Sequence, residues 1–199
     1  MLTHELTVKG NAFEQARPHL AGGLFPIEVE IAERLYSFCP EGYSPNADKK
    51  WASSTYWTQR VKETLKQLGE EEGLLVFPKL EMGKFKGQWL FDLVWVDAKQ
   101  DETKKEFDWK GTRGLKLACE SEWTPKEGHL LEDFLKLTFA IADVRLFIYT
   151  NRTVTTRHGP VHPTMLCKRV SPLSRGFRYL ALGFPESAKG TFRIDSWTA

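Results

Sequence analysis

The sequence is short of the features that mark a secreted, membrane-spanning or disulfide-held protein. It has only three cysteines, Cys39, Cys119 and Cys167. The count is odd, the spacings are wide and no Cys-x-x-Cys pair occurs. Neither a disulfide framework nor a structural zinc site is expected, and a reducing, cytoplasmic setting is the simpler reading. The first residues, Met1-Leu2-Thr3-His4-Glu5-Leu6, lack a basic region followed by an apolar run, so no signal peptide is read there. The most apolar windows, around 89–96 and 139–149, are too short or too interrupted to span a bilayer, and no membrane partner is expected. There is no internal repeat, no long low-complexity stretch, no glycine-rich phosphate loop and no nucleophile elbow.

Acidic residues are missing from one part of the chain. The 42 positions between Asp143 and Glu186 contain no Asp or Glu. They hold Arg145, Arg152, Arg157, Lys168, Arg169, Arg175 and Arg178, a formal +7 that leaves −5 for the rest of a chain whose net charge is +2. Such asymmetry suggests a basic surface facing a polyanion. The plainer alternative is that these arginines answer carboxylates elsewhere in the fold.

What is present is ordinary for a globular protein. The 199 residues are 41% hydrophobic and 27% charged, with seven Trp and thirteen Phe for bulky core layers. That length suits one domain spanning 1–199. Residues 1–23 are weakly patterned and are expected to wrap the surface. Pro26 suits the first turn of a helix carrying Ile27, Ile31, Leu35 and Phe38. Residues 41–50 read as a loop. A second helix, about 55–68, has Trp57, Val61, Leu65 and Leu68 as its apolar stripe and Gly69 beyond its end. Leu74–Phe77 reads as a strand and Trp89–Val96 as a stronger one, apolar except for Asp92. Asp97–Gly114 reads as a long hairpin loop.

From Leu115 to Trp123 the pattern has period two. Leu115, Leu117, Cys119, Ser121 and Trp123 share one face; Lys116, Ala118, Glu120 and Glu122 share the other. A helix marked by Leu131, Leu135, Thr138, Phe139 and Ala142 follows, and then a strand over Val144–Tyr149. That order predicts a right-handed parallel crossover. Residues 151–176 are irregular and basic, with one helical turn near Met165. Tyr179–Phe184 and Thr191–Trp197 then form a C-terminal β-hairpin. The fold class expected is α/β, a mixed central sheet flanked by helices on both faces.

Three carboxylates on these strands need an explanation. An ionised Asp amid apolar strand residues is costly unless it caps backbone, pairs with an arginine or ligates a cation. Two glutamates two apart on a strand face lie roughly 6.6 Å from each other along the chain. They repel unless a cation or a donor lies between them. Hard oxygen ligands suit Mg²⁺, which takes one or two carboxylates together with waters and phosphate oxygens. The competing explanation is a half-exposed glutamate pair answered by Lys116 or another basic neighbour.

The segments Leu90-Phe91-Asp92-Leu93-Val94, Leu117-Ala118-Cys119-Glu120-Ser121-Glu122-Trp123 and Glu132-Asp133-Phe134-Leu135-Lys136-Leu137, in this order of strand, strand and crossover helix, resemble the PD-(D/E)XK nuclease superfamily. The resemblance covers about 55–150, leaving 151–199 as a basic extension. It implies a restriction-endonuclease-like fold, with Asp92 and Glu120 as ligands of Mg²⁺ or Mn²⁺. The third motif position, usually a lysine that orients the attacking water, is Glu122. Lys136 on the following helix can take the lysine's part, as it does in some branches. Phe91 stands where the motif's proline would be. The superfamily often adds a glutamate from an early helix, for which Glu28 is the better candidate and Glu63 the worse. Arg152, Arg157, Lys168, Arg169 and Arg175 would grip phosphates of nucleic acid, DNA foremost. His158 and His162 flank Gly159-Pro160, which reads as a loop rather than a zinc site.

Two functions follow from this reading. One is a metal-dependent nuclease, acting as endonuclease or exonuclease. The other is a catalytically degenerate module on the same fold that binds nucleic acid, a protein partner or a second copy. An enzyme of another class using the same carboxylates is a third, weaker reading.

Overall fold

The alternation that begins at Leu115 determines the centre of the molecule. Leu117 and Cys119 face one way, Ala118 and Glu120 the other, and all four are buried. A strand buried on both faces has to lie inside a covered sheet. It does so in the computed structural model, which describes residues 2–7, 12–37, 54–81, 84–86, 90–98, 100–101, 106–107, 112–124, 126–151, 155–156, 159–160, 176–185 and 190–199.

The main sheet is open, mixed and seven-stranded. Its strands are β1 (Leu2–Thr7), β2 (Leu75–Phe77), β3 (Leu93–Asp97), β4 (Gly114–Glu122), β5 (Ala142–Thr150), β6 (Arg178–Phe184) and β7 (Thr191–Thr198). The spatial order is β1-β7-β6-β5-β4-β3-β2. β4–β5 and β5–β6 pair in parallel; every other neighbouring pair is antiparallel. Three further two-stranded ribbons join 79–81 to 84–86, 100–101 to 106–107, and 155–156 to 159–160.

Among the described residues four helices cover the sheet: α1 (Ala12–Ala21), α2 (Pro26–Ser37), α3 (Ser54–Glu71) and α4 (Glu127–Phe139). On one face Phe13, Leu20, Ile31, Leu35, Val61, Leu65 and Leu68 from α1–α3 pack on Leu93, Trp95, Leu117, Cys119, Leu146 and Ile148. On the other, Leu130, Phe134 and Leu137 of α4 pack on Val94, Ala118, Phe147, Tyr179 and Ala181. The layered α/β class is therefore as read from the sequence, and α4 is the predicted parallel crossover.

Three expectations need correction. Residues 1–23 are not surface wrapping: they supply edge strand β1 and helix α1. The signal was weak because β1 buries only Leu6 and α1 carries Pro18 in mid-helix. The strand expected over Trp89–Val96 spans Leu93–Asp97, so Asp92 stands just before it. Glu28 is committed elsewhere. Fully buried, it accepts hydrogen bonds from Arg178 at 2.8 and 2.6 Å and from the Phe25 backbone at 2.9 Å. The helical turn near Met165 lies outside the described residues, as do Cys39 and Cys167.

Two contacts position the helices. Trp95 Nε1 donates to the Leu65 carbonyl at 3.0 Å, and its ring lies so close to Gly69 that an added Cβ would sit 2.6 Å from Nε1. Arg145 of β5 is fully buried. Its guanidinium donates to the carbonyls of Leu137 at 2.9 Å, Ala142 at 3.1 Å and Ala140, and it stacks 3.6 Å from the Phe177 ring centroid. It thereby serves the carbonyls at the C-terminus of α4, where the helix dipole favours a cation.

Two stability predictions follow. Arg145→Met leaves buried carbonyls without donors and should cost about 2–4 kcal/mol in urea unfolding. Gly69→Ala raises helix propensity yet should destabilise by about 1–3 kcal/mol, because the methyl collides with Trp95 and Val76; a stabilised Gly69→Ala protein would show that the ring can withdraw.

Candidate functional site

The C-terminal end of β4 meets the residues that lead into β3. Their antiparallel register pairs Leu93 with Cys119, and Asp92, just before β3, meets the end of β4 at Ser121. Helix α3 approaches this end from one face of the sheet and α4 from the other. The site is thus made of two short strand segments with one helix on either side.

Asp92 is braced by its neighbours. Its Oδ2 accepts hydrogen bonds from the Ser121 backbone N–H at 2.9 Å and the Ser121 hydroxyl at 2.8 Å. Its Oδ1 lies 3.1 Å from Lys62 Nζ of α3. One explanation open to this aspartate, the backbone cap, is therefore realised; the side-chain partner is a lysine rather than the arginine expected.

Glu120 is in a harder position. It is 3% exposed, and its Oε1 has no hydrogen-bond partner among the described residues. Lys136 Nζ of α4 is 3.8 Å from its Oε2. Burial, helped by the nearby charges of Asp92 and Asp133, pushes the Glu120 carboxyl up to about 8, although Lys136 and a backbone hydrogen bond from Asp92 pull the other way. A buried carboxyl with one oxygen lacking a donor among the described residues resists ionising.

Lys136 is shared between two acids. It is 2.5 Å from Asp133 Oδ1, one helical turn back, and the 3.8 Å already noted from Glu120. Burial works against its charge, but the Asp133 bond and the Glu120 charge outweigh it, and its pKa is raised. Asp133 is itself shifted up by burial, with Glu122 and Asp92 adding to the effect and Lys136 opposing it.

Glu122 sits at the rim. Its Oε1 accepts from the Thr124 backbone N–H at 2.5 Å, and its Oε2 is 3.6 Å from His129 Nδ1. With Ser54, Thr55, Thr58, Gln59, Lys62 and Trp123 it lines an open pocket of about 450 Å³. Lys116, the alternative partner for the glutamate pair, is instead bound to Asp143 at 2.8 Å.

The structure therefore brings Asp92, Glu120, Glu122 and Lys136 to one end of the sheet. Glu63 is held by Gln59 at 2.8 Å. Arg152, Arg157, Lys168, Arg169, Arg175, His158 and His162 lie outside the described residues. Sequence reasoning missed Lys62, Asp133 and Ser121. Lys62 follows Val61 of the apolar stripe, and Asp133 is three residues before Lys136; those spacings were the available signals. Among the described residues no three His, Cys, Asp or Glu are grouped so as to hold a metal ion. The donor set is a pair of carboxylates, which is the complement Mg²⁺ ordinarily takes from a protein when substrate phosphates supply other ligands. In that sense Asp92 and Glu120 fit the ion.

Folding raises the Glu120 pKa from an ordinary 4.5 to about 8. Its contribution to stability is complete below about pH 4.5 and is lost as pH rises through about 8. Wild-type protein in a chelator should lose up to a few kcal/mol between about pH 5 and about pH 9 relative to Glu120→Gln. Urea titrations of both proteins across that range check this; parallel pH profiles would contradict it.

The chain matches no protein-family model, no curated protein and no solved structure, and no helix among the described residues is long and apolar enough to cross a membrane.

Proposed function

We propose that this chain is a metal-dependent nuclease with a restriction-endonuclease-like core of the PD-(D/E)XK type, hydrolysing phosphodiester bonds in nucleic acid, DNA foremost, in the cytoplasm. The observation that carries the proposal is the buried Glu120 carboxyl, one oxygen unpartnered among the described residues, set beside Asp92. The element order α3-β2-β3-β4-α4-β5 supports it. Within that order, Asp92 stands at the entry to β3, Glu120 and Glu122 at the end of β4, and Lys136 on the crossover helix.

Asp92 and Glu120 would hold Mg²⁺ or Mn²⁺. A bound ion would supply charge neutralisation at the phosphate and acidify a water. The chain's own residues do the rest. Ser121 fixes the Asp92 carboxylate through two hydrogen bonds. Lys136, tethered by Asp133, places an ammonium beside Glu120 where it can orient the attacking water and offset charge developing on phosphorus. Glu122, at the rim, would receive a proton from that water. The basic residues between Arg152 and Arg175 would add phosphate contacts and salt dependence.

The second reading is a degenerate module that binds nucleic acid or a protein partner without chemistry. Glu122 in the lysine position and the absence of a three-ligand group among the described residues favour it. Cleavage of plasmid and single-stranded DNA with Mg²⁺ or Mn²⁺ separates the two. Asp92→Ala and Glu120→Gln should each lose at least about 100-fold, and Lys136→Ala about 10–100-fold, with folding intact by circular dichroism. Equal trace activity in wild type and Asp92→Ala would remove the catalytic claim, and bound oligonucleotide without cleavage would establish the module.

A further inference from the structure

Asp92 offers a cation only one oxygen. Its Oδ2 is occupied by the Ser121 N–H and hydroxyl, leaving Oδ1, and Oδ1 is the atom 3.1 Å from Lys62 Nζ. Any ion that binds Asp92 meets this ammonium first. The lysine is well shielded, its side chain 16% exposed. The same side chain also forms part of the wall of the pocket of about 450 Å³, among the polar groups of Ser54, Thr55, Thr58 and Gln59. That volume falls in the range of small-molecule sites. Lys62 therefore borders two places at once, the candidate metal position and the open pocket beside it.

We propose that Lys62 is an exchangeable cation: it stands on Asp92 Oδ1 when no divalent ion is present and transfers to a substrate phosphate in the adjoining pocket when one enters. The inference rests on the nuclease reading above. A four-carbon stem with a compact ammonium can make this transfer without moving helix α3. Without the ion, a phosphate entering the pocket faces the charges of Asp92 and Glu122, with the nearest ammonium already engaged. With the ion bound, Asp92 is neutralised and the ammonium is released towards the pocket. Metal and phosphate binding then reinforce each other, each by the same factor. In this role Lys62 is a substrate-binding residue, distinct from Lys136, which stays tethered to Asp133 beside Glu120.

The expected signs distinguish exchange from a structural role. Lys62→Met removes the competing ammonium, so Mn²⁺ should bind the full chain about fivefold more tightly by calorimetry. The same variant should raise KM for a single-stranded deoxyoligonucleotide about tenfold and leave kcat within about threefold. Lys62→Arg, which keeps the charge, should stay near wild type in KM. A lysine that merely props the site would instead give weaker Mn²⁺ binding and a lower kcat when replaced. Unchanged or weaker Mn²⁺ binding by Lys62→Met overturns the proposal, as does an unchanged KM. Should Lys62→Met show no cooperative melt, Lys62→Gln takes its place in both measurements. If Asp92→Ala cleaves like wild type, the nuclease reading fails. The calorimetric comparison still decides whether Lys62 and Mn²⁺ compete.

Discussion

The guanidinium of Arg145 is the constraint on which the geometry of the site depends. It is a buried cation with no carboxylate partner among the described residues, neutralised by backbone carbonyls at the end of α4 and at the start of β5. Desolvating such a charge is expensive, and the cost is offset only if the carbonyls are held where the guanidinium can reach them. The crossover therefore has one arrangement. The C-terminus of α4 is fixed to the sheet, and the tether between Asp133 and Lys136 is fixed with it. Without that anchor, the 3.8 Å approach of Lys136 to Glu120 would depend on hydrophobic packing alone.

The carboxylates at the strand ends are treated unequally. Asp92 has its hydrogen-bonding needs met by Ser121 and Lys62. Glu120, more deeply buried, is left with an oxygen unpartnered among the described residues and a pKa pushed to about 8. A structure selected for stability alone would gain by replacing Glu120 with an apolar residue of similar size. Keeping it costs stability, and carboxyls shifted in this way cluster at functional sites.

The mixed sheet and the crossover were legible because β4 and β5 follow strong patterns: period two through Leu117, Ala118, Cys119 and Glu120, then a run through Val144–Tyr149 that is apolar except for Arg145. The motif carboxylates were legible for the same reason, since charge within an apolar strand stands out. The edge of the fold was not. β1 shows one buried residue in six, and α1 contains a proline, so neither carries a periodic signal. Lys62 was hidden because a lysine beside an apolar stripe looks like any solvated helix residue; only the approach of α3 to Asp92 distinguishes it. Glu28 misled for the opposite reason. Its first-turn position looked available, yet its partner Arg178 lies 150 residues away in the chain.

The two lysines come from separate hydrophobic cores. Lys62 belongs to the layer that α3 forms with α1 and α2, and Lys136 to the layer that α4 forms on the other side of the sheet. The candidate site thus depends on both halves of the folding reaction. An intermediate with one layer consolidated would keep the strands that carry Asp92 and Glu120 but only one of the ammonium groups, leaving a partly neutralised acidic cluster. The charges at this end of the sheet would then be balanced only in the last step of folding, when both ammonium groups have arrived.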